Sequence, residues 1–161
     1  MGNIQPVEKD YMLWLLMLRT KEVIHRVREK ELNKVGVSPI EAGVMYTVES
    51  MDKPATPAEI SRWLFREPHS VSGLLNRMQQ EGLITKTKNL KRKNQVRITL
   101  TEKGQQAFQM SLKRVVVNRI FSALSEEQKG QLKAILQTLL DAAVSELGVE
   151  REFPYLRWPS E

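Results

Sequence analysis

TPAEISRWLFREPHSVSGLLNRMQQEGLITKTKNLKRKNQVRITL, residues Thr56 to Leu100, reads as a capped helix, a tight turn, an amphipathic helix and a basic β-hairpin. Thr56-Pro57-Ala58-Glu59 is a capping box with proline at the first helical position, where its missing N–H leaves no hydrogen bond unmade. Glu67-Pro68 interrupts the chain. Beyond it, Val71, Leu74, Leu75 and Met78 fall at i, i+3, i+4 and i+7, the spacing of one buried helical stripe. Gly82 ends that helix, and Ile84 to Asn89 and Gln95 to Leu100 follow as strand-like runs around a Leu-Lys-Arg-Lys-Asn tip.

Opposite the apolar stripe lie His69, Ser72, Gly73, Asn76, Arg77 and Gln80, with Ser70 and Gln79 at the margins. A merely solvated helix face is ordinarily richer in Glu and Lys. An α-helix fits the major groove of B-DNA, where Asn and Gln pair with adenine edges and Arg with guanine. Small residues such as Ser72 and Gly73 let the backbone come close. From Gly82 to Thr101 there is no acid, while Lys86, Lys88, Lys91, Arg92, Lys93 and Arg97 supply six positive charges. Val96, Ile98 and Leu100 point to one face of the hairpin, Arg97 and Thr99 to the other. Lys91-Arg92-Lys93 at the tip suits phosphates or a minor groove, and the planar fork of Arg92 suits insertion best. A helix-turn-helix followed by a cationic ribbon therefore implies double-stranded DNA as partner.

The remaining composition narrows the alternatives. With 161 residues, 41% hydrophobic and 27% charged, the chain supports one folded domain with a real core. Its net charge of +6 agrees with a polyanionic partner. Without cysteine, disulfides, zinc-cysteine sites and a thiol switch are excluded. Only two histidines occur, His25 and His69, so no metal and no cofactor is expected. No Gly-rich phosphate loop, nucleophile elbow or Ser/His/Asp arrangement is present, and an enzyme is not expected. Tyr11 to Leu18 is apolar but far short of the ~20 residues of a membrane span. A cytoplasmic location away from any membrane is the expectation.

Outside the central stretch, a first helix is expected from about Val7 to Asn33. Its early part is apolar on nearly all sides (Met12 to Leu18), which calls for two partners: the chain's own core and a second copy. Ser38-Pro39-Ile40-Glu41 opens a helix to about Ser50, and Thr101 caps a long one carrying Phe108, Leu112, Val115, Val116, Ile120 and Leu124. Ser125-Glu126-Glu127-Gln128 starts the last helix, which Gly148 ends. The order is three helices, a recognition-type helix, a two-stranded wing and two long helices, with an aromatic, proline-rich tail from Phe153.

Three segments, in this order and spacing, resemble the MarR family of bacterial and archaeal winged-helix transcription regulators. They are Ala58-Glu59-Ile60, Val71-Ser72-Gly73-Leu74-Leu75-Asn76-Arg77-Met78 with Glu81-Gly82-Leu83-Ile84, and Val96 through Gly104. The resemblance runs over essentially the whole chain. It implies a single domain over residues 1–161, mainly α with a small β-hairpin wing. A winged helix-turn-helix (38–101) would be flanked by N- and C-terminal dimerisation helices and tail (7–33 and 102–161). It further implies a homodimer acting, most often as a repressor, at a pseudo-palindromic operator. Ligand control would work through a cleft lined by Trp14, Met17, His25, Met45, Tyr46 and Phe108, although any single one of them reads more readily as plain core, since stripes at helical spacing normally pack. Two positions depart from the family pattern. Arg92 and Lys93 stand where an Asp-Arg pair is usual, and Asn76 replaces an aspartate, removing an expected partner for Arg77. The alternative of another class is a winged-helix docking or scaffold module that touches no nucleic acid.

Overall fold

The computed structural model describes residues 8–52, 55–88 and 95–148. Among these described residues, seven helices and one hairpin follow in the order α1 (Lys9–Asn33), α2 (Pro39–Ser50), α3 (Pro57–Leu64), α4 (Pro68–Gln80), β1 (Ile84–Lys88), β2 (Val96–Leu100), α5 (Glu102–Ser111), α6 (Val115–Phe121) and α7 (Glu126–Glu146). The expected start at Val7, the strand end at Asn89, the wing tip and the tail from Phe153 lie outside the described residues.

Local chemistry sets most of these boundaries. Ser38, Thr56 and Ser125 each close a full capping box, and Thr101 Oγ1 accepts from the Gly104 N–H at 3.0 Å. Helix α4 ends at Gly82, whose φ of +73° suits a residue without a Cβ. There the Gly82 N–H reaches the Gln79 carbonyl and the Leu83 N–H the Met78 carbonyl, which satisfies the last turn.

One core joins α2 to α5. Val44, Met45, Ile60, Val71, Leu75 and Met78 are completely buried, with Ile84 and Ile98 of the hairpin closing the layer. The stripe expected on α4 is thus the face that seats it, each side chain contributing about 1.5–3 kcal/mol by burial. The two strands pair antiparallel with Ile84 opposite Leu100 and Lys86 opposite Ile98. Unforeseen in the sequence, Ala55 of the α2–α3 loop adds a bridge to Ile98, whose N–H donates to the Ala55 carbonyl at 2.8 Å. At the base of the hairpin the Thr101 hydroxyl donates to the Gly82 carbonyl, and Gly104 packs against the Leu83 backbone so closely that a Cβ would lie 2.0 Å from its oxygen.

The long helix expected to begin at Thr101 is instead two. Helix α5 stops at Ser111, Arg114 turns left-handed at φ 46°, and α6 starts at Val115. The cause lies on α1. The Arg28 guanidinium donates to the Ser111 carbonyl at the end of α5, and the Glu31 carboxylate accepts from the Val116 N–H at 3.0 Å at the start of α6. Arg28 and Glu31 also pair with one another, both mostly shielded from water. Burial pushes the Glu31 carboxyl up, but the Val116 N–H, Arg28 and the Val115 N–H together hold it below the ordinary value. Two helix ends are therefore capped by one ion pair reaching across from another element.

Candidate nucleic-acid interface

Helix α4 presents a face with one character. His69, Ser70, Ser72, Gly73, Asn76, Arg77 and Gln80 are all exposed, while Val71, Leu74, Leu75 and Met78 anchor the helix from behind. No acid occurs between Pro68 and Gln80. A Cβ at Gly73 would meet nothing within 4 Å, so the notch there faces open space. The helix N-terminus, opened by Pro68 after Glu67, carries no side-chain cap.

Two of the seven residues are held by side chains that the sequence did not pair with them. Arg77, expected to lose its partner because position 76 is asparagine, has two: its Nε lies 3.7 Å from Glu41 and 3.9 Å from Glu81. Glu41 is buried at the start of α2, where its other oxygen accepts from the Ser38 N–H at 2.9 Å. One carboxylate thus caps α2 and steers a guanidinium on α4. A capping box is legible in sequence, but its reach to another helix is not. Asn76 pairs instead with the wing, its Oδ1 accepting from Lys86 Nζ at 2.5 Å.

The six wing cations divide. Lys88 and Arg97 are exposed on the paired strands, whereas Lys86 sits half-buried opposite Ile98 with its head turned to α4. Burial there pushes the Lys86 ammonium below its ordinary value. Thr85 and Thr99 share a 2.7 Å hydroxyl bond across the strands. Lys91, Arg92 and Lys93 lie outside the described residues. Two further cations, Arg62 and Arg66, are exposed at the end of α3 and in the turn before α4, and belong to no motif in the sequence. Arg66 is marked there only by its place one residue before Glu67-Pro68.

The residues named for a ligand cleft separate within one protomer. Met45 and Phe108 are buried in the core, and Tyr46 is half-buried under the Arg114 guanidinium, 5.6 Å from the ring centroid. Trp14, Met17 and His25 are exposed on α1, Trp14 tilted against Tyr11 with ring centroids 5.3 Å apart. A shallow cavity of about 310 Å³ lies elsewhere, between the end of α2, β2 and α5, lined by Glu49, Asp52, Arg97 and Gln105 among others. Among the described residues no His, Asp and Glu cluster could hold a metal ion, and no helix is long and apolar enough to cross a membrane.

Comparison with known proteins agrees with this architecture. A family model described as MarR family matches residues 35–92, which span α2 to the wing. The HTH-type transcriptional repressor MdtR of Bacillus subtilis (strain 168) is 27% identical over 118 residues, 71% of this chain and 74% of that protein. The crystal structure of the organohalide sensing RdhR-CbdbA1625 transcriptional regulator in its ligand free form superposes with a TM-score of 0.82. It is 27% identical and covers all of this chain, which covers 95% of that one. The fold is also that of a mutant MarR from E. coli in complex with operator DNA, with a TM-score of 0.76 at 16% identity, over 84% of this chain and 99% of that one. The matched segment coincides with the helix-turn-helix and wing, and over that segment and in its fold the chain is similar to the MarR family of winged-helix transcriptional regulators.

Proposed function

We propose that the protein is a homodimeric repressor that acts in the cytoplasm by binding rather than catalysis, each copy laying α4 into a major groove of a pseudo-palindromic operator. Residues 38–101 form the DNA-binding part, and residues 7–33 and 102–161 the dimerisation part. The observation that carries the reading is the acid-free outer face of α4, beside the exposed Lys88 and Arg97 of the strands. On that face His69, Ser70, Ser72, Gly73, Asn76, Arg77 and Gln80 meet bases and phosphates. In the sequence Lys91, Arg92 and Lys93 continue that run of cations, and the reading assigns them to the flanking phosphates, with Arg92 for the minor groove.

The dimer is supported by what α1 and α7 leave uncovered. Leu13, Leu16, Ile135 and Leu139 are exposed, and α7 buries none of its residues against its own protomer. Two copies joined there would set their α4 helices for half-sites about 34–36 Å apart. Trp14 and Met17 on α1 become available to a small apolar effector once a second copy covers that helix. The repressor relative and the organohalide-sensing relative support this pairing of operator and ligand.

Selection of bound fragments from randomised duplexes, followed by footprinting, tests the reading directly. The expected result is a two-fold symmetric site with half-sites one turn apart and affinity falling steeply with salt. Binding that is equal for all sequences, or absent, would remove the operator assignment and favour a docking module.

A further inference from the structure

The Asn76 amide on α4 cannot present either of its ends at will. Its oxygen receives the Lys86 ammonium, and an ammonium carries donors only, so the oxygen and never the nitrogen faces the wing. The amide nitrogen is left with its two N–H groups for whatever lies outside the helix. Lys86 is suited to holding that orientation. Strand register puts it opposite the buried Ile98, on the hairpin face that packs towards the domain, and it is only half-exposed, whereas Lys88 and Arg97 stand open to solvent.

Resting on the operator-reading role above, we propose that Lys86 is a positioning residue that sets specificity: it makes Asn76 a donor-only probe, so that the base facing it is guanine in preference to adenine. In the major groove adenine offers an N7 acceptor beside an N6 donor, and an unrestrained asparagine matches both with its nitrogen and its oxygen. With the oxygen drawn to the wing and one of its two lone pairs engaged there, Asn76 does not turn that oxygen outward to the N6–H. Guanine offers two acceptors, N7 and O6, which the outward N–H groups satisfy. The nearby ammonium adds positive potential that O6 favours and the cytosine amino group opposes.

The test uses the full chain and duplexes carrying each of the four bases at one operator position. That position is identified as the one whose preference disappears in Asn76→Ala. Wild type is expected to bind the guanine duplex roughly tenfold more tightly than the adenine duplex. Lys86→Met keeps the stem and removes the donor, and should equalise or invert that ratio while preferences at the other positions stay. Lys86→Arg, which restores a donor, should bring guanine back. An adenine preference in wild type overturns the inference, as does a Lys86→Met protein with the wild-type ratio. So does a Lys86→Met protein weakened equally on every duplex, with a salt slope shallower by about one phosphate contact, since Lys86 would then be an anchor. A wild type that enriches no sequence overturns the operator reading itself, and is told apart from these outcomes because in them selection succeeds.

Discussion

The two ends of this molecule treat apolar surface in opposite ways. From α2 to α5 the chain closes on itself, and Ile60, Leu75 and Met78 are wholly buried. Along α1 and α7 it does not: Leu13, Leu16 and Ile135 keep 64%, 65% and 58% of their surface exposed. The first region carries its stability within one copy. The second contributes little within one copy, since an apolar helix face left in water contributes nothing until something covers it. In the proposed dimer the spacing of the two DNA-binding parts can then change without disturbing the core that presents each of them.

Paired truncations give that contrast its largest test. Leu75→Ala removes a wholly buried side chain and should cost about 2–5 kcal/mol of stability, read as a fall in urea midpoint at any protein concentration. Leu139→Ala, on the exposed face of α7, should leave a dilute protomer almost unchanged and lower the midpoint only where dimers dominate. Equal losses at all concentrations would erase the distinction between the two regions.

Next in size is the seam between hairpin and α5. Alanine is ordinarily the better helix residue, yet at Gly104 its Cβ would lie 2.0 Å from the Leu83 oxygen, so backbone must move. Gly104→Ala is expected to destabilise by about 1–3 kcal/mol in urea unfolding. A gain in stability instead would show that this approach is looser than the packing implies.

The brace from α1 to the α5–α6 break comes third. Glu31→Gln removes the charge that Arg28 and the Val116 N–H both meet, at a cost of about 1–2 kcal/mol at neutral pH. Its folded pKa lies below the ordinary value, so on acidification the unfolded chain takes up the proton first. The contribution is therefore whole above about pH 4.3 and is lost as pH falls through the folded value. Urea midpoints measured from pH 7 to pH 3 should decline less in Glu31→Gln than in wild type. Parallel declines would mean that the carboxylate is not held as described.

That brace also marks where sequence reasoning stopped. Capping boxes at Ser38, Thr56 and Ser125, the proline starts of α3 and α4 and the stripe on α4 are local features, and each was legible because its cause lies within a few residues. The break at Arg114 was not legible. Apolar spacing runs on from Phe108 through Ile120 with no glycine or proline to stop it, and the groups that end α5 and start α6 sit on α1, more than eighty residues earlier. The interface divided in the same way. Which α4 residues face outward follows from helical period, whereas the Glu41–Arg77 and Lys86–Asn76 pairings depend on how separate elements pack.

Gly73 offers the smallest effect on stability and the finest division between folding and function. It lies in the middle of α4, where glycine is worse than alanine by about 0.5–1 kcal/mol. A Cβ there would touch nothing in the protein. Considered as a folding problem, Gly73→Ala should therefore raise the urea midpoint by that amount. The same methyl group would project from the face proposed to enter the groove, beside Ser72 and Asn76, where a close backbone approach leaves it no room. Operator affinity should fall while stability rises, measured by fluorescence anisotropy on the selected site. If affinity is unchanged, α4 docks with a gap at this point, and the glycine has no role in contact with DNA. If stability falls too, the helix carries a strain that its open surroundings do not suggest. A glycine that weakens its own helix and meets no atom of its own chain makes sense only if the space beside it is used by something else.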